Sequence, residues 1–142
     1  MIKERSMVLV KPRQMAMREF ALPDIDDDSF LLRVNLVSIC GGDPIEYEGR
    51  NIKAHYPMIL GHEVAGTIER IGDSAARRHT VDVGDRVNVE PYILCGQCEY
   101  CLSGFYQFCL NSRIYGVNMS CETPPHLWGA YGEYLYGAPG SK

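Results

Sequence analysis

Three cysteines recur at every third position and a fourth follows eight residues later, in the run Cys95-Gly-Gln-Cys98-Glu-Tyr-Cys101-Leu-Ser-Gly-Phe-Tyr-Gln-Phe-Cys109. Four thiolates at this spacing can close around one tetrahedral ion. Zinc(II) suits four sulfurs because it is borderline soft and imposes no geometry of its own. A closed four-sulfur shell leaves no coordination position for a substrate, so Cys95, Cys98, Cys101 and Cys109 are predicted to hold a structural ion, not a catalytic one. Spacing alone leaves two alternatives open: a reduced cysteine-rich loop or a disulfide pair, and an iron-sulfur site.

The redox compartment bears on that choice. The start, MIKERSMVLVKPRQ, offers only a four-residue apolar run, from Met7 to Val10, before Lys11 and Pro12, too short for a secretory signal. No stretch approaches membrane-spanning length. A cytoplasmic location is therefore expected, where six cysteines stand as thiols or metal ligands and not as disulfides. The formal net charge of -4 gives no basic field for a phosphate backbone, which argues against a nucleic-acid partner and against a zinc-ribbon reader. With 142 residues, 46% of them hydrophobic, one domain with its own core is the natural expectation.

Short β-branched and apolar runs separated by turns predict a mainly β core. Two strands are expected within residues 7–22, joined at 11–14, with further strands at 30–40, 59–72 and 85–90. Long helical repeats between strands are missing, which favours a barrel or sandwich over a parallel sheet. Short helical turns are expected only at 40–47 and 98–110. The tail Gly137-Ala-Pro-Gly-Ser-Lys142 has the composition of a linker or a cut point.

A second set of metal-binding residue types is spread more widely. Cys40 closes an apolar run in Ile39-Cys-Gly-Gly-Asp43, and His62-Glu63 follow Gly61 at the start of another. Thiolate, imidazole and carboxylate together make a plausible catalytic zinc set, with water or substrate in the remaining position. Asp43 would accept the second N–H of His62 and fix its tautomer. Taken singly, each has a plainer reading: Cys40 as a core thiol, His62 as a satisfied core histidine, Glu63 as a surface carboxylate.

The order of motifs gives these residues a common context. C-G-x-D at 40–43, G-H-E-x-x-G-x-x-x-x-x-G at 61–72, G-D-R-V at 84–87 and C-x2-C-x2-C-x7-C at 95–109 resemble the zinc-containing medium-chain alcohol and polyol dehydrogenases. Gly132-Glu133-Tyr134 resembles the family's A-E-Y segment, with Gly132 in place of the usual alanine. The resemblance covers nearly the whole chain. It implies a GroES-like, partly open β-barrel over residues 1–142, with a structural zinc lobe at Cys95, Cys98, Cys101 and Cys109 and a catalytic zinc at Cys40 and His62. Glu63 is a ligand in polyol-type members, whereas in classical alcohol dehydrogenases a further cysteine completes the set.

In that family a Rossmann domain binding NAD or NADP normally follows. No G-x-G-x-x-G after a strand occurs in these residues, so the cofactor domain is expected to be absent from this chain and the isolated chain inactive. The function implied is the zinc-binding half of an oxidoreductase acting on a small-molecule alcohol, polyol or sugar-type substrate, with a homo-oligomer as the family's usual full-length form and the state of this piece left open. A non-catalytic zinc-binding or assembly module on the same fold is the alternative.

Two positions depart from the family. Where it usually carries a Ser or Thr and a His that pass the alcohol proton onward, this chain has Gly42 and Ile45, neither able to exchange a proton. Water, Glu46 or Tyr47 is expected to take over. Elsewhere, His55, His79 and His126 read as loop or surface residues, Cys121 as a free thiol in the polar loop MSCETPP with substrate contact as its alternative, and Trp128 and Tyr131 as packing residues with the lining of a substrate cleft as theirs.

Overall fold

The computed structural model describes residues 3–142. Strands β1 (Lys3–Lys11) and β2 (Gln14–Ala21) form an antiparallel hairpin that turns at Pro12-Arg13, where Arg13 adopts φ 62°. β3 (Phe30–Val37) ends three residues short of Cys40, and helix α1 (Asp43–Tyr47) follows. The run expected as one strand at 59–72 is divided into β4 (Met58–Ile59) and β5 (Val64–Ile71), with His62 in the gap. Next come helix α2 (Asp73–His79), β6 (Arg86–Val89) and β7 (Tyr92–Ile93). Helix α3 (Glu99–Leu102), a 3-10 turn at Tyr106–Phe108, β8 (Arg113–Ile114) and β9 (Tyr134–Gly137) complete the order.

All pairings among the described residues are antiparallel. One sheet runs β2-β1-β4, a second β6-β5-β3-β9, and a ribbon pairs β7 with β8. A single bridge from Ser6 to Gly132 ties the first sheet to the segment leading into β9. The sheets do not close into a barrel, in keeping with the expected GroES-like, partly open arrangement.

β3 supplies the centre of the core: Phe30, Leu31 and Leu32 are buried on both faces against Ile68, Trp128 and Leu135. β1 alternates as a half-buried strand should, but its inward positions begin with Glu4 and Ser6 before reaching Val8. The buried Glu4 carboxylate accepts the Ser6 hydroxyl at 2.9 Å and the Glu133 N–H at 3.2 Å. Burial pushes its pKa up to about 7. This cluster explains why residue 132 is glycine: a Cβ there would lie 2.0 Å from Ser6 Oγ and 3.0 Å from the Glu4 carboxylate.

Two expectations are corrected. The polar stretch after Gly72 is helix α2, because the acidic loop folds over its start: the Asp27 carbonyl accepts N–H groups from Ser74 at 3.0 Å and Ala75 at 3.1 Å. His79 consequently ends a helix and is half-buried, with its pKa lowered by burial and by Arg78. Cys121 is a core thiol packed with Val8 and Ile59, and burial raises its pKa. Trp128 packs as expected, edge-on to Tyr136, its Nε1–H donating to the Thr123 carbonyl at 2.7 Å. No described helix is long and apolar enough to cross a membrane.

Candidate metal centres

The four thiols of residues 95–109 converge on one point. Their sulfurs all lie within 4.8 Å of one another, with Cys95 Sγ 3.9 Å from Cys101 Sγ and 3.5 Å from Cys109 Sγ. Tetrahedral zinc with Zn–S near 2.3 Å separates its sulfurs by about 3.8 Å, so the cage fits one ion. A disulfide needs sulfurs about 2.05 Å apart, and all six cysteines are free. Local backbone makes the cage hospitable to thiolates. N–H groups of Gln97 and Cys98 draw Cys95 down to about 6, and those of Leu110 and Cys101 lower Cys98. Burial, with sulfur contacts to Cys98 and Cys109, pushes Cys101 up to about 12.

The second centre is assembled by sheet register. β3 pairs antiparallel with β5 so that Val37 faces Val64, and the ladder continues with Ser38 N–H donating to the Glu63 carbonyl at 3.0 Å. The strands' outgoing and incoming ends, residues 38–40 and 61–63, are thereby set side by side. Gly61 makes the turn at φ +90°, a conformation open to glycine, and delivers His62. The sequence C-G-G-D is a reciprocal turn: Asp43 N–H donates to the Cys40 carbonyl at 3.0 Å, and Cys40 N–H donates to Asp43 Oδ2 at 2.7 Å. Cys40, His62 and Glu63 offer ligand atoms all within 4.8 Å of one another.

The residues around this trio fit a metal better than they fit a plain core. His62 Nδ1 and Asp43 Oδ1 face each other at 3.8 Å, and both are buried without a hydrogen-bond partner. An imidazole in that position faces an acceptor on one side and can turn its other nitrogen to a metal. Glu63 is exposed, takes a hydrogen bond from the Ser38 hydroxyl, and is lowered by its bonds to Ser38 and Cys40. His62, Glu63 and Ser38 line a cleft of 410 Å³ walled by Leu36, Val64 and Val89.

Residues 42–47 include the side chains considered for the proton. A Cβ at Gly42 would meet His62 Cε1 at 3.9 Å and Cys40 Sγ at 4.0 Å, so room for a side chain exists beside the trio. Glu46 is buried, takes Asn51 Nδ2–H on both oxygens at 2.9 Å, and has its pKa raised by burial and by the Asp43 charge. Tyr47 is turned to the Pro12-Arg13 corner instead, its hydroxyl donating to the Arg13 carbonyl at 3.3 Å. For Tyr131 the sequence favours packing over a place at the cleft. Tyr131 does pack, against the clusters of Val8 and Leu9, and also donates its hydroxyl to Asp43 Oδ2 at 3.1 Å. Burial and the neighbouring acidic groups push the Tyr131 hydroxyl up to about 12. Its position directly before the Gly132-Glu133-Tyr134 motif was the available signal.

Known proteins resemble this chain over nearly its whole length. A probable alcohol dehydrogenase of Mycobacterium tuberculosis is 40% identical over 140 residues, covering 96% of this chain and 38% of that protein. A sorbitol dehydrogenase of Bacillus subtilis is 37% identical over 134 residues, covering 92% of this chain and 35% of that protein. Among solved structures, an alcohol dehydrogenase of Thermotoga maritima matches with a TM-score of 0.89 at 30% identity, over 100% of this chain and 40% of that chain. The chain thus spans well under half the length of these relatives. Residues 26–139 match the family model described as the alcohol dehydrogenase GroES-like domain, and the chain belongs to that family.

Proposed function

We propose that residues 1–142 are the zinc-binding catalytic part of a longer NAD(P)-dependent oxidoreductase that acts on a small alcohol, polyol or sugar-type substrate. The observation that carries this reading is the convergence of Cys40, His62 and Glu63, the latter two lining an open cleft, with Asp43 behind His62. Nicotinamide would be held by chain outside these residues, since the relatives are more than twice as long. The Bacillus subtilis relative's name and the adjacency of Glu63 to His62 support a polyol-type substrate. The four thiols of the lobe would hold the structural ion and take no part in the reaction.

A zinc ion at the cleft would supply Lewis acidity towards an alcohol oxygen. The chain's own residues do the rest. Asp43 and the Cys40–Asp43 turn would position the thiolate and the imidazole, Ser38 holds Glu63, and the buried Val64 and Val89 give the cleft an apolar wall. Without a hydroxyl at Gly42, the alcohol proton would pass to water in the space beside Cys40 and His62; of Glu46 and Tyr47, the buried Glu46 is the acceptor we favour, because the Tyr47 hydroxyl is turned to the Arg13 carbonyl. Glu46→Gln should then displace the pH-rate profile of the full-length enzyme, and Tyr47→Phe should leave it unchanged.

Elemental mass spectrometry of the purified protein and two variants tests the metal assignment. Two zincs per chain are expected, one lost in Cys98→Ser and the other in His62→Ala. A single zinc, lost only in Cys98→Ser, would remove the catalytic reading from this chain; iron in place of zinc would overturn the metal itself.

A further inference from the structure

The Asp43 carboxylate is used unequally. Oδ2 accepts two hydrogen bonds, from Cys40 N–H at 2.7 Å and from the Tyr131 hydroxyl at 3.1 Å. Oδ1 accepts none, and His62 Nδ1 opposite it is likewise unpartnered. A carboxylate oxygen has two lone pairs, so Oδ2 is filled and Oδ1 is left for the imidazole alone. We infer that Tyr131 is a positioning residue of the cleft, saturating one oxygen of Asp43 so that the other holds His62 in the Nδ1–H tautomer, with Nε2 free to bind a metal.

The position of the Tyr131 hydroxyl is set by backbone on two sides. Tyr131 N–H donates to the Leu60 carbonyl at 2.9 Å, and its own carbonyl accepts Met7 N–H at 2.7 Å. The ring lies directly on Gly61, where a Cβ would come within 2.6 Å of Cδ1 and 2.9 Å of Cε1. Tyr131 therefore touches the residue before His62 with its ring and the residue behind His62 with its hydroxyl. It carries the placement of β1 and of the 60–61 turn directly to the imidazole. Loss of the hydroxyl leaves Oδ2 with one donor and frees the carboxylate to rotate away from His62. A metal site whose histidine loses its outer partner binds about 10–100-fold less tightly.

This inference rests on the reading of Cys40, His62 and Glu63 as a metal site, and the test separates the two. Imidazole nitrogen chemical shifts of the metal-stripped protein, labelled at histidine, report the His62 tautomer without any ion. Zinc affinity of the cleft is measured on the same samples by chelator competition, with the four-thiol site as internal reference. The wild type is expected to show His62 as Nδ1–H. Tyr131→Phe, which keeps the packed ring, should give a tautomer mixture and about tenfold weaker zinc binding at the cleft, with the four-thiol site unchanged. Asp43→Asn presents an amide N–H to Nδ1, so His62 should switch to Nε2–H, and adding Tyr131→Phe to it should change nothing further. An unaltered tautomer in Tyr131→Phe, or an equal loss on adding it to Asp43→Asn, overturns the role of Tyr131. Absence of cleft zinc in the wild type overturns the metal reading instead, and the tautomer data still judge Tyr131.

Discussion

The lobe and the cleft gather similar ligand chemistry by opposite means. In the lobe the ligands come from one short run, with Cys95 and Cys109 14 positions apart, carried on a four-residue helix and a three-residue 3-10 turn. Neither of these elements has a side-chain cap, and Leu102, Phe105, Phe108 and Leu110 are all exposed. The sulfurs are the lobe's core. In the cleft the groups come from distant places: β3 delivers Cys40, the β4–β5 gap delivers His62, and Tyr131 reaches Asp43 across 88 positions. There the sheet is the scaffold and an ion would be a guest. The difference teaches that metal loss should unfold one site and only empty the other.

The largest expected effect follows from the lobe. Cys98→Ser should remove the lobe's ion and with it the organisation of residues 95–110, because short uncapped helices have little stability of their own. Binding free energies of structural zinc are on the order of 10 kcal/mol in isolated small domains, so the loss is enough to melt so small an element. Hydrogen exchange should show amides of the lobe losing protection while those of β3 and β5 keep theirs. Protection retained across 95–110 in the variant would erase the contrast between the two sites.

An intermediate effect concerns the support beneath the cleft. Glu4 is fully buried, and its pKa stands at about 7 against a reference of 4.5, so the folded chain binds this proton more tightly than the unfolded one. Its contribution to stability is complete below pH 4.5, falls as pH rises to 7, and stays at its minimum above that. The groups facing it are the Ser6 hydroxyl, the N–H groups of Glu133 and Tyr134, and the Glu133 carboxylate, itself paired with Arg5 at 2.9 Å. Between pH 5 and 8 the wild type should lose on the order of 2 kcal/mol through this group, and Glu4→Gln should flatten that slope in urea unfolding. The change should appear in the β1–Gly132 region that holds Tyr131 and leave the lobe untouched.

What could be read from residues alone divides along the same line. The four-thiol site was legible because ligands and spacing lie in one short run. The longer strands were legible because β-branched runs carry their own signal, but the break at His62 and the short strands β7, β8 and β9 were not, since two to four residues hold too little pattern. Helix α2 was not, because its first turn is completed by Asp27, a residue 47 positions away from Ser74. Cys121 was hidden by polar neighbours that point outward while its thiol enters the core. Gly132 looked like a departure from the family until Glu4 and Ser6 were seen to occupy the space a Cβ needs. The Gly132-Glu133-Tyr134 motif marks the neighbourhood of Tyr131, but its contact with Asp43 spans 88 positions and has no local pattern.

The smallest expected effect on stability is also the sharpest test of the contrast. His62 sits in the gap between β4 and β5, its side chain 15% exposed, and it makes no hydrogen bond that the fold depends on. His62→Ala removes the imidazole opposite Asp43 Oδ1, which can then be solvated from the cleft. Its cost to folding should therefore be within about 1 kcal/mol, although the cleft's metal is lost completely. Matched urea unfolding and metal analysis read both quantities from one preparation. A cost of several kcal/mol would mean that the imidazole braces β3 against β5. The cleft would then share the lobe's dependence on its ligands and could not be a guest site on a self-supporting sheet.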